Sequence, residues 1–548
     1  MMNKGLVVLV VMSFLVVSSP VDACTNFLVS RGASADGSTM VTYAADSHVL
    51  YGELYFTPAG KHAPGTMLDI YEWDTGKYLG QIPQVEETYS VVGNMNEHQV
   101  TIGETTYGGR KELKNDVGIM DYGSLMYVTL QRARTAREAI QIMGKLVAEH
   151  GYYSSGEAFS VADPDEVWIL GMIGKGKDHK GAVWVARRVP DGYVTAHANW
   201  VRIQDFPFND KKNCLYSEDV ISFAREMKFF DGSDKDFRFA DAYAPLTFVD
   251  ARVCEARVWS FFRKVAPSQD IARDFINSTK PEDVQLPLWI KPDRKLTVAD
   301  IMAAMRDHFE GTPLDLTEGL GAGPYDLPYR WRPLIWEHEG HKYLNERATA
   351  TQQTGFSFVA QMRKNLPDPI GGVFWFSVDD AATTVYIPMY CGIRQAPKPY
   401  AVGPGDFETF TWDSAFWVFN FVSNFAYRRY RDISKDIHVV QRQLEGNFLA
   451  RQKAIDTAAL ALYNQSPELA RDYLTEYSTT QAEKTVDRWR KLGLELFVKY
   501  LDGNVRDEMG KVTHPGYGKA WYSRLIAEQP ETYKVRRLEG EPVEEEGH

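Results

Sequence analysis

Short apolar stretches separated by turn-forming residues predict a series of β-hairpins in the first part of the chain. Residues 25–30 and 37–44 are two such stretches, and the segment between them contains glycine, serine and aspartate, which favour turns. This hairpin begins beside Cys24 and ends beside Asp46, so antiparallel pairing brings these two residues close together. The same reasoning predicts two further hairpins, formed by residues 158–162 with 167–170 and by residues 182–188 with 193–196.

Helical signals accompany these hairpins. Thr135 is followed three residues later by Glu138, which is the spacing of a capping box, and Gly151 is a stop signal. These residues predict a helix that ends near His150. Helical stretches also occur in residues 205–315, and hairpins flanked by helices are typical of sheets covered by helices.

The last part of the chain lacks strand patterning. Residues 439–501 favour helix, and Pro467, preceded by Ser466, occupies a position that proline prefers at the start of a helix. We therefore predict a layered α/β body over residues 24–400 and a helical C-terminal region over residues 401–548. The chain ends in an acidic tail, for which a solvated segment is the expected structure.

An apolar run near the N-terminus indicates the cellular compartment in which we expect the protein. Lys4 precedes residues 5–17, which are almost entirely apolar, and small residues follow up to Ala23. This combination predicts a secretory signal peptide over residues 1–23. A membrane anchor is the alternative, but about 13 apolar residues fall short of the roughly 20 that span a bilayer. We expect an exported protein, periplasmic or extracellular, with no membrane span in its mature chain.

Composition and charge argue against two classes of protein, disordered proteins and nucleic-acid-binding proteins. Hydrophobic residues make up 44% of the chain, which excludes disorder over most of its length. The 61 lysines and arginines against 73 aspartates and glutamates give a net charge of −12. Because binding to a phosphate backbone requires a basic face, a nucleic-acid partner is not expected.

Motifs for metal or cofactor chemistry are incomplete. His338 and His341 are three residues apart, whereas a zinc-peptidase helix places its two histidines four apart, so a polar loop is expected there. Residues 171–177 lack the serine or threonine that follows the lysine of a phosphate-binding loop. Asp379 and Asp380 are interpreted as a strand-end turn rather than as a paired-carboxylate site. We expect neither a metal nor a cofactor.

Cleavage after Ala23 makes Cys24 the first residue of the mature chain. Cys24 is then a lipid acceptor, half of a disulfide or a nucleophile. Asp22 disfavours lipidation, because a lipoprotein signal prefers a small neutral residue there. The four cysteines are too few for a disulfide scaffold, although Cys214 and Cys254 can pair in an oxidising compartment.

An N-terminal cysteine carries its own base. A thiol has an ordinary pKa of about 8.5, and an α-amine has one of about 7.7 to 8.0. At neutral pH the free amine of Cys24 can therefore take the proton of its own thiol and later deliver that proton to a leaving amine. Nucleophile and base are then assembled within one residue.

Short motifs follow one another in order through residues 24–400. They are CTNFLV at 24–29, ASADGSTM at 33–40, Asp46, GNMNEH at 93–98, IGETT at 102–106, AHAN at 196–199, GAGPY at 321–325, PYRWRP at 328–333, WFSVDD at 375–380 and YIPMY at 386–390. Taken together, this set resembles the dipeptidase A family of cysteine peptidases, which are N-terminal nucleophile (Ntn) hydrolases similar in fold to penicillin V acylase and bile salt hydrolase.

The resemblance implies a four-layer αββα sandwich with helical insertions. It also implies that Cys24 attacks the scissile carbonyl, that Asp46 organises the amine of the nucleophile, and that the Asn199 side chain helps bind the oxyanion. The acylases carry an arginine where this chain has Tyr43, which counts against a bile-salt or penicillin substrate. Thr106 likewise stands where some acylases have asparagine or tyrosine.

The leading hypothesis is an exported dipeptidase that hydrolyses dipeptides through an acyl-enzyme on Cys24. One alternative is an amidase or acylase acting on N-acyl amino acids or related amides. Another is a lipid-anchored protein without enzymatic activity, in which Cys24 is acylated. The sequence leaves side-chain preference and homo-oligomer formation open.

Overall fold

The computed structural model describes residues 24–271 and 275–535. The predicted leader and the acidic tail lie outside the described residues. Two large antiparallel sheets, one of seven strands and one of eight, are accompanied by long helices. The protein is therefore a mixed helix-and-sheet structure.

The bounds of the regular elements are as follows. The strands are β1 (Asn26–Val29), β2 (Thr39–Asp46), β3 (Phe56–Thr57), β4 (Gly60–Lys61), β5 (Met67–Tyr71), β6 (Tyr78–Pro83), β7 (Glu87–Thr88), β8 (Val91–Val92), β9 (Met95–Asn96), β10 (Thr101–Tyr107), β11 (Gly156–Ala162), β12 (Val167–Gly174), β13 (Ala182–Arg188), β14 (Val194–His197), β15 (Cys214–Tyr216), β16 (Trp289–Ile290), β17 (Ile335–His338), β18 (His341–Leu344), β19 (Thr354–Met362), β20 (Val373–Val378), β21 (Ile387–Tyr390), β22 (Val505–Arg506) and β23 (Val512–Thr513). The helices are α1 (Tyr122–Leu130), α2 (Ala136–His150), α3 (Val220–Glu226), α4 (Phe239–Tyr243), α5 (Phe248–Asp250), α6 (Ala256–Val265), α7 (Val298–Ala304), α8 (Asp368–Gly371), α9 (Ala415–Ala426), α10 (Tyr430–Tyr463), α11 (Pro467–Lys499) and α12 (Lys519–Glu528).

The first predicted hairpin is confirmed. Strands β1 and β2 pair antiparallel, with Leu28 opposite Val41, and Thr25 forms a bridge to Ala44. Both strands are buried along their whole length, because they lie in the middle of the seven-stranded sheet, whose order is β16-β14-β1-β2-β19-β20-β21. Strand β2 continues to Asp46, which is therefore the last residue of a central strand.

One of the other two hairpins is confirmed and the other is wrong. Strands β11 and β12 pair as predicted in the eight-stranded sheet, whose order is β15-β13-β12-β11-β10-β9-β8-β3. Strand β13 belongs to this sheet, but β14 pairs with β1 and β16 in the seven-stranded sheet. The turn at Asp191 and Gly192 therefore carries the chain from one sheet to the other. Local alternation identifies a strand, but it does not identify the partner of that strand.

The predicted helix after Thr135 is confirmed as α2. The Thr135 hydroxyl accepts a hydrogen bond from the Glu138 N–H, and Gly151 ends the helix with a φ of 79°. The reciprocal bond of the capping box runs from the Arg134 N–H, one residue earlier than expected, to the Glu138 carboxylate. Helix α2 contacts strands β11 and β13, so it covers the outer face of the eight-stranded sheet.

The C-terminal helices are also where the sequence predicted them. Ser466 caps α11, and Pro467 is the first residue of that helix. Helix α11 contacts α9, α10 and β21, so these helices lie against the seven-stranded sheet, while β2 contacts β10 and β11 of the other sheet. Trp489 of α11 is buried and stacks on Phe419 of α9. The apolar side chains of these helices and of the seven-stranded sheet form one continuous cluster.

The helices and the cysteines bear on the expectations about membrane spans and disulfides. None of the helices in residues 24–271 and 275–535 is long and apolar enough to cross a membrane. All four cysteines of the chain are buried and carry free thiols, so the possible pairing of Cys214 with Cys254 is not present.

Candidate active site

A cavity of about 690 Å³ opens where the two sheets meet. The seven-stranded sheet contributes Tyr43 and Asp46 from β2, and the eight-stranded sheet contributes Glu104 from β10 and Glu157 from β11. Cys24, immediately before β1, lies in the same wall. Two of the predicted site residues, Cys24 and Asp46, therefore share one cavity.

The Cys24 thiol is enclosed by polar groups. Its Sγ lies 3.7 Å from Glu104 Oε1 and 3.9 Å from the Tyr43 hydroxyl, and the side chain of Cys24 is buried. Burial, together with the negative charges of Glu104 and Asp46, raises the pKa of the Cys24 thiol well above its ordinary value. The thiol is therefore neutral in this environment, and a nucleophilic sulphur requires a base that removes its proton.

The Asp46 carboxylate is held at the end of β2 by two donors. Arg347 Nη2 donates to Oδ2 at 2.7 Å, and the Thr354 hydroxyl donates to Oδ1 at 2.6 Å. Burial raises the pKa of Asp46, although the Arg347 charge opposes this rise. A backbone hydrogen bond from Asp46 also reaches the Cys24 sulphur. A paired, fixed carboxylate therefore lies beside the Cys24 thiol, where it can stabilise a positive charge.

The predicted residue Asn199 lies behind the cavity wall rather than in it. It follows β14 and adopts a left-handed backbone conformation, with a φ of 58°. Its Nδ2 donates to the Thr106 carbonyl at 2.7 Å, and its Oδ1 accepts from Arg257 Nη2 at 2.8 Å. Thr106 itself lines the cavity, so Asn199 is one hydrogen bond away from that surface.

Arg257, from the first turn of α6, connects Asn199 to Cys24. Its Nη1 donates to the Cys24 carbonyl at 2.6 Å and to the Thr25 hydroxyl at 2.8 Å. Its side chain is fully buried, and burial lowers the pKa of Arg257 to about 10, so its guanidinium remains charged at neutral pH. Sequence reasoning missed Arg257, because nothing distinguishes it there from Arg252, which stands in the same Ala-Arg-Val triplet five residues earlier.

Glu104 is the second residue that sequence reasoning missed. It stands in the IGETT motif, but only Thr106 of that motif received attention. The Tyr43 hydroxyl donates to Glu104 Oε1, so the tyrosine that replaces the arginine of the acylases supports a carboxylate beside the thiol. Burial raises the pKa of Glu104 to about 7. The alternation of side chains along a strand could have pointed to Glu104, because residues 104 and 106 of a strand point to the same face and Thr106 had been noticed.

The cavity is strongly acidic. Among the described residues, its lining contains one basic side chain, that of Lys114. The lining carboxylates are Asp46, Glu72, Asp74, Glu104, Asp116, Asp121 and Glu157. The aromatic part of the lining is formed by Tyr43, Tyr51, Tyr55, Trp73, Tyr122, Tyr127, Tyr153 and Phe356. Such a surface favours a small ligand that carries a positive charge.

The other candidate residues lie elsewhere. His338 and His341 flank the turn of the exposed hairpin β17–β18. Asp379 and Asp380 follow β20, as a strand-end turn requires, and accept hydrogen bonds from Ser423 and from Tyr329 and Tyr427, respectively. Within residues 24–271 and 275–535, no group of histidine, cysteine or acidic side chains is arranged to hold a metal ion.

Comparison with known proteins identifies the class of this chain. The model of peptidase family C69 matches residues 58–443, more than half of the chain, so the protein belongs to that family and is a peptidase. The matched region begins after Cys24 and Asp46 but contains Glu104, Glu157, Asn199 and Arg257.

Curated relatives point to the kind of peptidase. A probable dipeptidase of Latilactobacillus sakei is 25% identical over 88% of this chain and 98% of its own length. A probable dipeptidase of Salmonella dublin is 26% identical over 70% of this chain and 84% of its own. A probable dipeptidase B of Streptococcus pyogenes serotype M1 is 22% identical over 90% and 97%. These relatives support dipeptidase activity, and the resemblance to dipeptidases found in the sequence is confirmed.

Proposed function

We propose that this protein is an exported dipeptidase of the Ntn-hydrolase type, in which signal-peptide cleavage releases Cys24 as the N-terminal nucleophile. The observation that carries the proposal is the position of the Cys24 thiol in the wall of an acidic cavity of about 690 Å³ in a member of a peptidase family. The two facing sheets, with α2 on one and α9–α11 on the other, support a four-layer arrangement.

The first half of the reaction forms a thioester. The free α-amine of Cys24 takes the thiol proton, and the thiolate attacks the carbonyl carbon of the peptide bond. The carbonyl oxygen becomes an oxyanion, and the second N–H of the Asn199 amide, the one not donated to the Thr106 carbonyl, helps to stabilise it. When the tetrahedral intermediate collapses, the C–N bond breaks and the α-ammonium returns its proton to the leaving amine. The second amino acid then leaves.

The second half releases the first amino acid. The α-amine, again neutral, takes a proton from water as the hydroxyl attacks the thioester carbonyl. The C–S bond breaks, the sulphur regains the proton, and a carboxylic acid is released. Asp46, fixed by Arg347 and Thr354, stabilises the ammonium that exists during both halves.

Arg257 has a positioning role in this scheme. It binds the carbonyl of Cys24 and the side-chain oxygen of Asn199 at the same time. Because a hydrogen bond to Oδ1 orients the amide, Arg257 fixes the direction in which Asn199 Nδ2 points. The nucleophile and the oxyanion donor are thus aligned through one buried guanidinium.

Two measurements test the proposal. Mass spectrometry of the secreted protein is expected to find Cys24 with a free amine at the N-terminus, and a diacylglyceryl adduct or an intact Met1 would contradict it. The purified protein is then assayed on a panel of dipeptides and N-acyl amino acids. We expect turnover of dipeptides, its loss in Cys24→Ala, and its retention in the matched control Cys214→Ala, whose thiol lies outside the cavity. Turnover of the N-acyl compounds alone would favour the amidase alternative.

A further inference from the structure

Two buried carboxyls in the cavity wall have no role in the scheme above. Glu104 and Glu157 lie on the neighbouring strands β10 and β11, and Glu157 pairs with Thr106, two residues from Glu104 on the same face. Glu104 is 1% exposed and Glu157 is 0% exposed, yet both line the cavity. In the described part of the chain, no donor group reaches Oε2 of either side chain.

The two carboxyls lie close together, so their charges interact. Because two like charges in a buried site repel, the two carboxyls do not ionise together, and above the pKa of Glu104, about 7, the pair holds one proton and one negative charge. Glu104 accepts from the Tyr43 hydroxyl, whereas Glu157 accepts over 3.3 Å from Ser154. The charge therefore resides on Glu104. Burial and the neighbouring carboxylate raise the pKa of Glu157 well above its ordinary value, which agrees with this assignment.

We propose that the Glu104–Glu157 pair is the subsite for the free α-ammonium of the dipeptide substrate, with Glu104 carrying the charge that binds it. This inference rests on the proposed function and deepens it, because it names the part of the substrate that distinguishes a dipeptide from an N-acyl amino acid. An ammonium has three N–H donors to offer. It can therefore satisfy the two Oε2 atoms that the described protein leaves without a donor.

The geometry of a dipeptide fits this placement. Standard bond lengths put the α-nitrogen about 2.5 Å from the scissile carbonyl carbon. A sulphur poised to attack lies about 3 to 3.5 Å from that carbon. Glu104 Oε1 is 3.7 Å from Cys24 Sγ, so one carboxylate can contact the ammonium while the thiol faces the carbonyl. A carboxylate farther from Cys24 could not contact the α-amine of the dipeptide while the thiol faces the scissile carbonyl.

Binding to an inactive protein tests the subsite without depending on turnover. The parent is the processed protein with Cys24→Ala, and the probes are alanyl-alanine and propionyl-alanine, which differ only in the α-amine. Their dissociation constants are measured by isothermal titration calorimetry. We expect the parent to prefer alanyl-alanine by about 10- to 100-fold, which is the range for a hydrogen bond to a charged group.

Three substitutions in this parent identify the side chain that is responsible for the preference for alanyl-alanine. Glu104→Gln is expected to reduce the ratio of the two dissociation constants to near 1. Glu157→Gln keeps the charge on Glu104 and is expected to retain most of the ratio. Asp116→Asn, which removes a cavity carboxylate paired with Lys177 at 3.2 Å, controls for general charge and is expected to change the ratio less than about threefold.

The outcomes separate this inference from the proposed function. A parent that binds both probes equally, or neither, overturns the subsite whatever the substitutions do. A ratio that survives Glu104→Gln overturns it as well, including the case in which the substitution weakens the binding of both probes equally. If the parent shows the ratio but the enzyme with intact Cys24 hydrolyses no dipeptide, the subsite stands and the proposed function fails.

Discussion

Replacing Arg257 with methionine tests whether one buried guanidinium organises the site. The substitution keeps an unbranched side chain but removes five hydrogen bonds. Their acceptors are the carbonyls of Cys24, Ala198 and Val253, the Thr25 hydroxyl and Asn199 Oδ1. Hydrogen bonds to charged groups contribute about 1.5 to 3 kcal/mol each, so the five contribute roughly 7 to 15 kcal/mol. The cost of keeping the guanidinium charge buried opposes this stabilisation. Burial lowers the pKa of Arg257 from 12.5 to about 10, which corresponds to roughly 3 kcal/mol.

The difference between these terms gives the expected size of the effect. We expect Arg257→Met to lower the free energy of unfolding by at least about 4 kcal/mol in urea titrations. Because Asn199 also loses the partner that orients it, kcat/KM for a dipeptide is expected to fall on the order of 100-fold. The matched control is Arg252→Met, which removes bonds to the Ile276 and Ser278 carbonyls far from Cys24 and leaves kcat/KM unchanged. A folded Arg257→Met protein with wild-type kcat/KM would refute the reasoning.

Three further predictions concern the base, the oxyanion donor and a buried acid. A chain that keeps one extra residue before Cys24 is expected to lose dipeptide turnover, because its α-amine becomes an amide; full activity of that form would require a different base. Asn199→Ala is expected to lower kcat on the order of 10²- to 10³-fold with little change in KM, and a nearly unchanged kcat would assign Asn199 a structural role only. The folded pKa of Glu104, about 7, lies above its ordinary 4.5, so the folded protein binds a proton that the unfolded chain releases between these values. The stabilisation is therefore complete below about pH 4.5 and is lost as the pH rises to about 7, by up to roughly 3 kcal/mol, and Glu104→Gln should flatten that slope in unfolding titrations. An identical slope in wild type and variant would contradict the assignment.

Local signals in the sequence predicted local structure. The hairpin of β1 and β2, the caps of α2 and the start of α11 each depend on residues that are neighbours along the chain. The hairpin of β13 with β14 failed because the true partner of β14 is β1, more than 160 residues earlier. The alternation of apolar and polar residues along a strand does not indicate a partner strand that is so distant in sequence.

The residues of the candidate site also divide into those that local sequence signals predict and those that only the folded structure reveals. Cys24 and Asp46 were predicted from a motif and a hairpin, and the structure places both in the cavity wall. Glu104 and Arg257 were missed because their importance comes from burial, which depends on the sheets and helices that close over them. Asn199 was named from the resemblance, but its dependence on Arg257 appears only when α6 lies beside β14.

The shared apolar cluster of α9–α11 and the seven-stranded sheet has a consequence for heating. Tyr390 at the end of the sheet lies against α10 and α11, through a bond to Asp456 and a ring contact with Tyr477. A helical segment joined to a sheet in this way cannot detach without exposing Trp489 and the strand beneath it to water. Calorimetry should therefore record one endotherm rather than an early shoulder from the C-terminal helices, and indole emission should shift to the red at the same temperature.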